Sequence, residues 1–311
     1  MESAGFSRAP SPSIVALPKL RNPPPTILDF LDRRFPHVGR EVWLARLRRG
    51  EVTDDHGEVV TPETPYRPHI RLRYFREAQD EPVVPFEEII VYRDEHLLVA
   101  DKPHFLPVTP CGPFVNECLL YRLRRRTGLD DLVPVHRLDK ETAGLVLFSI
   151  SAGRRNALYE LFRRGAVEKE YEAIAVLPEN FSGEEWLVES RIIDSPRKFM
   201  VTEVEGPPNA RTRIRLVERR EGWGRFVISP LTGKRHQIRV HMCKIGAPIV
   251  NDSLYPHVLP PKQGFDSPLL LVARRIRFTD PVTGEVRQFT STRQLDWPRS
   301  MPAGGGDQLP T

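Results

Sequence analysis

The sequence predicts an α+β protein built on a mixed, mostly antiparallel β-sheet, with a small N-terminal α/β module in front of it. Short apolar runs of strand length recur from residue 89 onward, and only a few segments with helical spacing fall between them. These segments do not alternate one by one with the strands, as they would around a parallel sheet. The chain has 311 residues, more than one domain usually contains, which favours a main domain plus a smaller module.

The expected organisation has five segments. Residues 1–24 are rich in proline and serine, and residues 300–311 contain a run of glycines, so both are expected to be disordered tails. Residues 25–80 are expected to form the N-terminal module. Residues 81–88, rich in proline and acids, are expected to be a linker, and the main domain is expected to span residues 89–299.

The N-terminal module is predicted to contain two helices and a hairpin. Thr26 can cap a first helix that Pro36 ends, with Asp29 as a capping-box-like acid. A second helix is predicted from Glu41 to Arg49, and a hairpin around a polar turn follows over residues 51–60. This arginine-rich segment resembles the small RNA-binding module first described in a ribosomal small-subunit protein. A structural cap is the alternative.

The main domain opens with two apolar strands joined by a charged turn. No internal repeat is present, and the strands are expected to pair largely through hairpins. Strands are predicted at residues 89–92, 97–100, 144–149, 171–176, 213–217, 225–229 and 269–273, and helices near residues 117–126, 154–164 and 235–245.

The composition indicates which kind of partner and which cell compartment to expect. The net charge is +5 and the pI is near 9.2, and arginines cluster beside apolar residues in several segments, which favours a polyanionic partner. The three cysteines include no C-x-x-C pair, which argues against a disulfide framework and a zinc site. No apolar run approaches the roughly 20 residues that span a bilayer. We therefore expect a cytoplasmic protein without a membrane partner.

One polar segment stands directly ahead of a buried apolar run. Residues 135–145 read V-H-R-L-D-K-E-T-A-G-L and place Asp139 between Arg137 and Lys140. A carboxylate on a turn at the mouth of a buried strand is held rigidly yet can be reached by a substrate, as a nucleophile requires. For these residues taken alone, an ordinary turn with a surface ion pair is the alternative.

Two further segments carry candidate site residues. Tyr171 lies in K-E-Y-E-A among small neighbours that leave space for a ring, and an aromatic surface suits a nucleobase; a core tyrosine is the alternative. Residues 231–241 read L-T-G-K-R-H-Q-I-R-V-H and put Arg235 and Arg239 on one helical face. An arginine aimed at Asp139 would orient that carboxylate, whereas a basic surface helix that only binds phosphates is the alternative.

In this order, the three segments resemble the RluA-type RNA pseudouridine synthases, and the resemblance covers residues 85–298. Residues 246–252, G-A-P-I-V-N-D, are a further match. The resemblance implies the pseudouridine synthase fold. It also implies that Asp139 is the catalytic aspartate and Arg239 the partner of the aspartate. Tyr171 is, by the same analogy, the ring that contacts the target base and the base positioned to remove the proton from carbon 5, although its ordinary pKa of about 10 means that the site would have to assist.

The resemblance also implies a set of RNA contacts. A base must leave its stack to reach a pocket in folded RNA, so side chains close to Asp139 can fill the vacated space or hold phosphates. Lys234 and Arg235 stand where the family more often has arginine and a small hydroxyl residue, a departure expected to alter RNA contacts more than chemistry. The residues expected to bind RNA are His136, Arg137, Lys140, Arg235, His236 and Gln237.

The function that these features predict is the isomerisation of specific uridines to pseudouridine in structured RNA. Large-subunit ribosomal RNA is the first expected substrate and transfer RNA the second, and a monomer is expected. The reaction breaks the N-glycosidic bond and rejoins the base through carbon 5, so we expect no small-molecule cofactor. His236 and His241 are five residues apart, a poor spacing for two ligands on one helical face, so we expect no metal site.

Two functions from other classes stay open. A non-catalytic RNA-binding protein with the same fold would bind RNA in a salt-sensitive way and modify no base. A hydrolase that stops after glycosidic cleavage would need a second acid, and Glu141 is the nearest one in sequence.

Overall fold

The fold is described from a computed structural model that covers residues 6–197, 200–260, 262 and 264–299. The chain divides into two compact units. Within the described ranges, the first contains residues 6–82 and 110–116, and the second contains residues 83–109 and those from 117 to 299. The tail predicted at residues 300–311 lies outside the described part of the chain.

The first unit combines two helices with short antiparallel strands. β1 pairs with β5, and β4 lies between β2 and β3 in a second small sheet. The elements are β1 (Phe6–Arg8), β2 (Ser13–Ala16), α1 (Ile27–Arg34), α2 (Arg40–Arg48), β3 (Val52–Thr53), β4 (Arg71–Tyr74) and β5 (Glu77–Gln79).

The helix start predicted at Thr26 is confirmed. The Thr26 hydroxyl accepts the Asp29 amide at 3.2 Å, and the Asp29 carboxylate accepts the Thr26 amide at 3.3 Å, which completes a capping box. Trp43 and Leu72 are fully buried in the core behind these helices. The predicted hairpin over residues 51–60 is reduced to a tight turn closed by a bridge between its strands.

The segment expected to be an N-terminal tail differs from that expectation from residue 6 onward. β2 pairs with β4 over four residues, and Leu17 is almost fully buried. The proline and serine content concealed a short alternation of apolar residues that suffices for an edge strand. Residues 110–116 also join this unit, because the amides of Val115 and Asn116 donate to the Glu81 carboxylate at 2.5 and 2.7 Å.

The second unit is built around one large sheet with helices packed on it. Its strands are β6 (Ile89–Arg93), β7 (Leu97–Lys102), β8 (Val133–Pro134), β9 (Ala143–Ser149), β10 (Glu168–Val176), β11 (Glu185–Asp194), β12 (Val201–Val204), β13 (Ala210–Arg220), β14 (Trp223–Pro230), β15 (Leu271–Thr279) and β16 (Val286–Thr290). Its helices are α3 (Leu119–Thr127), α4 (Ala152–Arg163) and α5 (Gln237–Lys244).

The sheet is mixed and mostly antiparallel, as predicted. Its strand order is β12-β11-β13-β14-β10-β15-β9-β7-β6, with β16 added to β15 and β8 to β9. Among the described strands, β15 and β9 form the one parallel pair, which joins two antiparallel halves. The prediction missed β8, β11, β12 and β16, which are short or carry charged residues at alternate exposed positions.

Gly144 makes the parallel junction possible. Its backbone has φ +111°, and a Cβ at this position would overlap the backbone of Ala273, with the amide nitrogen only 2.6 Å away. β9 and β15 therefore approach more closely than any side chain at residue 144 would allow. Because Gly144 lies five residues after Asp139, this contact also fixes where the polar loop leaves the sheet.

None of the helices in the described part of the chain has the length and hydrophobicity of a membrane span.

Candidate active site

The candidate nucleophile, Asp139, lies on the loop of residues 135–142 between β8 and β9. The buried ammonium group of Lys102 holds this loop through a hydrogen bond to its backbone. The Lys102 side chain is fully buried at the end of β7 and donates to three backbone carbonyls at 2.8–3.1 Å, one of them that of Lys140. Three donors matched by three acceptors make such burial tolerable, so Lys102 can tie β7 to the loop that carries Asp139.

Asp139 stands at the boundary between solvent and the interior, with its side chain 28% exposed. Its Oδ2 lies 3.4 Å from Nη1 of Arg239, and its Oδ1 lies 3.8 Å from Nε2 of His236. The two oxygens therefore face two different cationic or donor groups on or beside α5. The predicted pairing of Asp139 with Arg239 is present, although the two residues are 100 positions apart in the chain.

Arg239 is itself fixed by a second, buried carboxylate. Asp252 accepts Nε of Arg239 at 2.7 Å and Nη2 at 2.5 Å, in the two-pronged geometry that arginine favours. Burial opposes the charge on Arg239, but the hydrogen bonds and charge of Asp252, with the charge of Asp139, outweigh it and raise the pKa of Arg239 above its ordinary value. Arg239 thus carries a permanent, oriented positive charge toward Asp139.

Tyr171 lies on β10, on the sheet face that packs against α5 through Ile238 and Met242. The register of β10 against β15 shifts between Glu170 and Tyr171, a local irregularity of the kind that redirects side chains beside active sites. Burial and the negative charge of Asp139 raise the pKa of Tyr171 well above its ordinary value. Its hydroxyl therefore keeps its proton at neutral pH, which favours an aromatic contact over a base.

His236 stands between Asp139 and a buried tyrosine. Its Nδ1 lies 2.9 Å from the Tyr255 hydroxyl, and its side chain is only 9% exposed. The Tyr255 ring also packs under the Arg239 guanidinium, with 5.3 Å between the guanidinium carbon and the ring centroid. Burial lowers the pKa of His236, against the opposing influence of Asp139, so the imidazole is held in its neutral form.

Three of the residues predicted to bind RNA reach solvent near this site. Arg137 and Lys140 flank Asp139 and are exposed, and the Arg137 guanidinium has no hydrogen bond or ion pair within the described residues. Arg235 is half-exposed and is engaged by the Asp194 carboxylate at 3.0 Å and the Met200 carbonyl at 2.6 Å. RNA contact by these residues stays a prediction, and Arg137 is the best placed of them.

His136 and Gln237 are engaged within the fold. Nε2 of His136 accepts the Leu147 amide at 3.1 Å, and its ring stacks on Phe162 with 4.6 Å between centroids. Burial, with the charge of Lys169, lowers the pKa of His136 to about 3, so it is neutral. Gln237 is buried and makes four hydrogen bonds of 2.7–3.0 Å at the start of α5. These contacts favour structural roles for both.

Glu141, the nearest acid to Asp139 in sequence, is paired elsewhere. Its carboxylate lies 3.3 Å from the Lys262 ammonium and accepts the Ser253 hydroxyl at 3.3 Å. Its carbonyl oxygen is 2.7 Å from Nδ1 of His104. This environment suits a residue that anchors the loop, and it gives no support to a two-carboxylate hydrolase.

Sequence reasoning missed the roles of Asp252, Tyr255 and Lys102. Asp252 had been noted only as the end of the matching segment G-A-P-I-V-N-D. A signal for it was available, because an acid two residues after the apolar pair Ile249-Val250 can be buried and would then need a cationic partner. Nothing in the sequence indicated that this partner is Arg239.

Comparison with known proteins agrees with the geometry. The family model described as RNA pseudouridylate synthase matches residues 96–244, which include Asp139, Tyr171 and Arg239. The dual-specificity RNA pseudouridine synthase RluA of Haemophilus influenzae is 32% identical over 68% of this chain and 94% of its own length. The ribosomal large subunit pseudouridine synthase D of Vibrio vulnificus is 29% identical over 83% of this chain and 86% of its own.

A solved structure supports the same assignment. The human RNA pseudouridylate synthase domain containing 4 superposes with a TM-score of 0.51 and 25% identity, covering 68% of this chain and 88% of that one. One family assignment accounts for the sequence similarity, the shared fold and the Asp139–Arg239 pair. The chain belongs to the family of RluA-type RNA pseudouridine synthases, which are isomerases.

Proposed function

We propose that this protein isomerises specific uridines of structured RNA, with Asp139 as the nucleophile. Large-subunit ribosomal RNA is the first proposed substrate and transfer RNA the second. The observation that carries the proposal is the arrangement of Asp139, an accessible carboxylate on a rigid loop, 3.4 Å from the buried cation of Arg239. A carboxylate in this setting is oriented for attack by a neighbouring cation.

The proposed chemistry needs one displaced bond and one new bond. Asp139 attacks carbon 1′ of the ribose or assists its ionisation, the N1 glycosidic bond breaks, and the uracil rotates. The C5–C1′ bond then forms, and any bond from Asp139 to carbon 1′ breaks as the carboxylate leaves. The C5 proton passes to solvent and N1 takes up a proton from solvent, so atoms and charge balance without a redox step. Arg239 would stabilise the carboxylate each time Asp139 regains its charge, because it stays positively charged throughout.

Tyr171 is proposed to supply the floor of the uracil pocket. Its ring lies on the same sheet face as the small residues Ala173 and Ala175. The raised pKa of its hydroxyl supports a donor or a stacking surface, since a phenol that holds its proton cannot accept one from carbon 5.

The N-terminal unit is proposed to bind RNA by charge. Arginine side chains that are exposed in the structure lie on both helices and on β4, and phosphate contacts of this kind position an RNA without reading its bases. The similarity to a relative whose name specifies the ribosomal large subunit supports ribosomal RNA as the substrate. The exposed arginines on these elements are Arg33, Arg34, Arg40, Arg48, Arg71 and Arg73.

The test is tritium release from RNA labelled at carbon 5 of uridine, with ribosomal and transfer RNA offered separately. We expect release by the wild-type protein and none above background by Asp139→Asn, which preserves the shape of the side chain. Asp130→Asn is the matched control, because Asp130 is an exposed acid on the turn before β8. Full activity of Asp139→Asn would refute the nucleophile, and activity on transfer RNA alone would reverse the order of substrates.

A further inference from the structure

His236 immediately precedes α5 and has a backbone conformation that is unusual for a histidine. Its backbone is in the left-handed region, with φ +53° and ψ +15°, directly before α5. Left-handed conformations cost most residues free energy, and glycine or asparagine adopts them with less strain. Such an outlier beside a reactive group suggests that the side chain, rather than the backbone, is what the position requires.

A short chain of hydrogen bonds determines where the imidazole proton can reside. The Tyr255 hydroxyl accepts the Val201 amide at 2.9 Å, so its own proton is available to an acceptor. The nearer acceptor is Nδ1 of His236 at 2.9 Å, compared with the Val201 carbonyl at 3.3 Å. If Nδ1 accepts, the proton of a neutral imidazole must be on Nε2.

The other side of the ring leads to the same assignment. Nε2 of His236 faces Oδ1 of Asp139 at 3.8 Å, and an ionised carboxylate can only accept hydrogen bonds. Burial keeps the ring neutral, in spite of two nearby acids, and Arg239 and Arg235 act in the same direction as burial. Neither neighbour of the ring thus favours a proton on Nδ1.

Resting on the proposed role of Asp139, we propose that His236 is a positioning residue for this carboxylate. Its Nε2–H is directed at Oδ1, and the hydroxyl of Tyr255 sets the tautomer. Arg239 holds Oδ2 and His236 holds Oδ1, so the pair would fix the plane of the carboxylate as well as its place. The 3.8 Å separation would shorten when the target nucleotide displaces solvent from the site, as catalytic hydrogen bonds commonly do.

This role differs from the RNA contact predicted for His236 from the sequence. A phosphate or base contact would need an exposed or charged ring, whereas the ring is nearly buried and neutral. Loss of an RNA contact would raise KM, while loss of an oriented carboxylate would lower kcat at unchanged KM. The two roles therefore make opposite predictions.

The first measurement needs no RNA, so its result stands whether or not the proposed substrates are correct. In protein labelled with nitrogen-15 at histidine, we expect the neutral tautomer with its proton on Nε2 at pH 7 for His236. Its signals can be picked out of the nine histidines by comparison with His236→Gln. We expect the His236 signals to shift in Asp139→Asn. A proton on Nδ1, or signals indifferent to Asp139→Asn, would overturn the proposal.

The second measurement is steady-state tritium release with matched variants. His236→Gln keeps a donor of similar reach and should retain activity within about tenfold, whereas His236→Asn tolerates the left-handed backbone but is too short. We expect His236→Asn and Tyr255→Phe to lose roughly ten- to a hundredfold in kcat, the effect of one hydrogen bond to a charged group, with KM unchanged. A rise in KM alone, or equal losses in the Gln and Asn variants, would refute the positioning role.

Discussion

Asp252→Asn tests whether the active-site arginine depends on a counterion outside the reacting centre. The Asp252 side chain is 1% exposed and makes two hydrogen bonds with Arg239. It also accepts the amides of Leu254 and Tyr255 at 2.9 and 3.0 Å. An asparagine oxygen can still accept these two amides, so the substitution removes the ion pair while sparing the turn.

The expected loss of stability in Asp252→Asn follows from the burial of the ion pair. Removing one partner of a buried ion pair costs about 3–5 kcal/mol, because the remaining charge loses its counterion but stays out of water. In this site Asp139 lies 3.4 Å from the same guanidinium and replaces part of the lost interaction. We therefore expect Asp252→Asn to lower the free energy of unfolding by about 3 kcal/mol, the low end of that range.

Urea unfolding of single and double variants measures how much Arg239 and Asp252 stabilise the fold as a pair. It distinguishes this coupling from the separate loss of each residue's contacts. Arg239→Gln combined with Asp252→Asn should cost less than the sum of the two single changes by about 2 kcal/mol or more, because neither member of the buried pair then remains as an uncompensated charge. Tritium release should fall at least about tenfold in all three. Asp194→Asn, whose acid is 84% exposed and pairs with Arg235, is the control and should cost under about 1 kcal/mol. Additive losses with normal activity would refute the reasoning.

Three other predictions concern the pocket, the sheet and pH. Tyr171→Phe should keep turnover within about tenfold in the tritium assay, since the ring remains; a loss of a thousandfold or more would instead identify the hydroxyl as the base. Gly144→Ala should lower the free energy of unfolding by about 2–4 kcal/mol in thermal melts, whereas Gly153→Ala in α4, where φ is not positive and space is open, should not destabilise; equal effects would contradict the close approach at residue 144. Burial lowers the pKa of His241 to about 4, below the ordinary 6.5, so the unfolded chain binds the proton more readily. Stability should be complete above pH 6.5 and decline toward pH 4, and His241→Gln should reduce that slope by about 1.4 kcal/mol per pH unit; an unchanged slope in urea titrations would show that His241 does not contribute.

Local signals in the sequence predicted much of the fold. The cap at Thr26 and the positions of α1, α3 and α5 follow from rules that need only neighbouring residues. The strand β11 was not predicted because the charged residues Glu185, Glu189 and Arg191 interrupt its apolar residues, and a half-exposed strand has no continuous apolar run. Residues 6–24 were misjudged because overall composition hid a short apolar alternation.

The sequence predicted site residues only where a polar segment also suggested a chemical role for its side chains. Asp139 and Arg239 belonged to polar segments with an evident use, and their pairing was expected. Asp252 and Tyr255 came to notice only in three dimensions, since each acts through a residue distant in sequence. Pairings of this kind depend on which strands become neighbours, and no local pattern of residues encodes that.

The parallel junction between β9 and β15 has a consequence for how the enzyme acquires activity. Asp139 belongs to the half of the sheet built from residues 89–149, whereas Arg239 and Asp252 belong to the half built from residues 168–290. The proposed nucleophile and its cation thus come from separate antiparallel assemblies that meet along two residue pairs. During synthesis the first assembly can form hairpins early. A nascent chain that has not yet reached residue 239 nevertheless lacks the cation that faces Asp139.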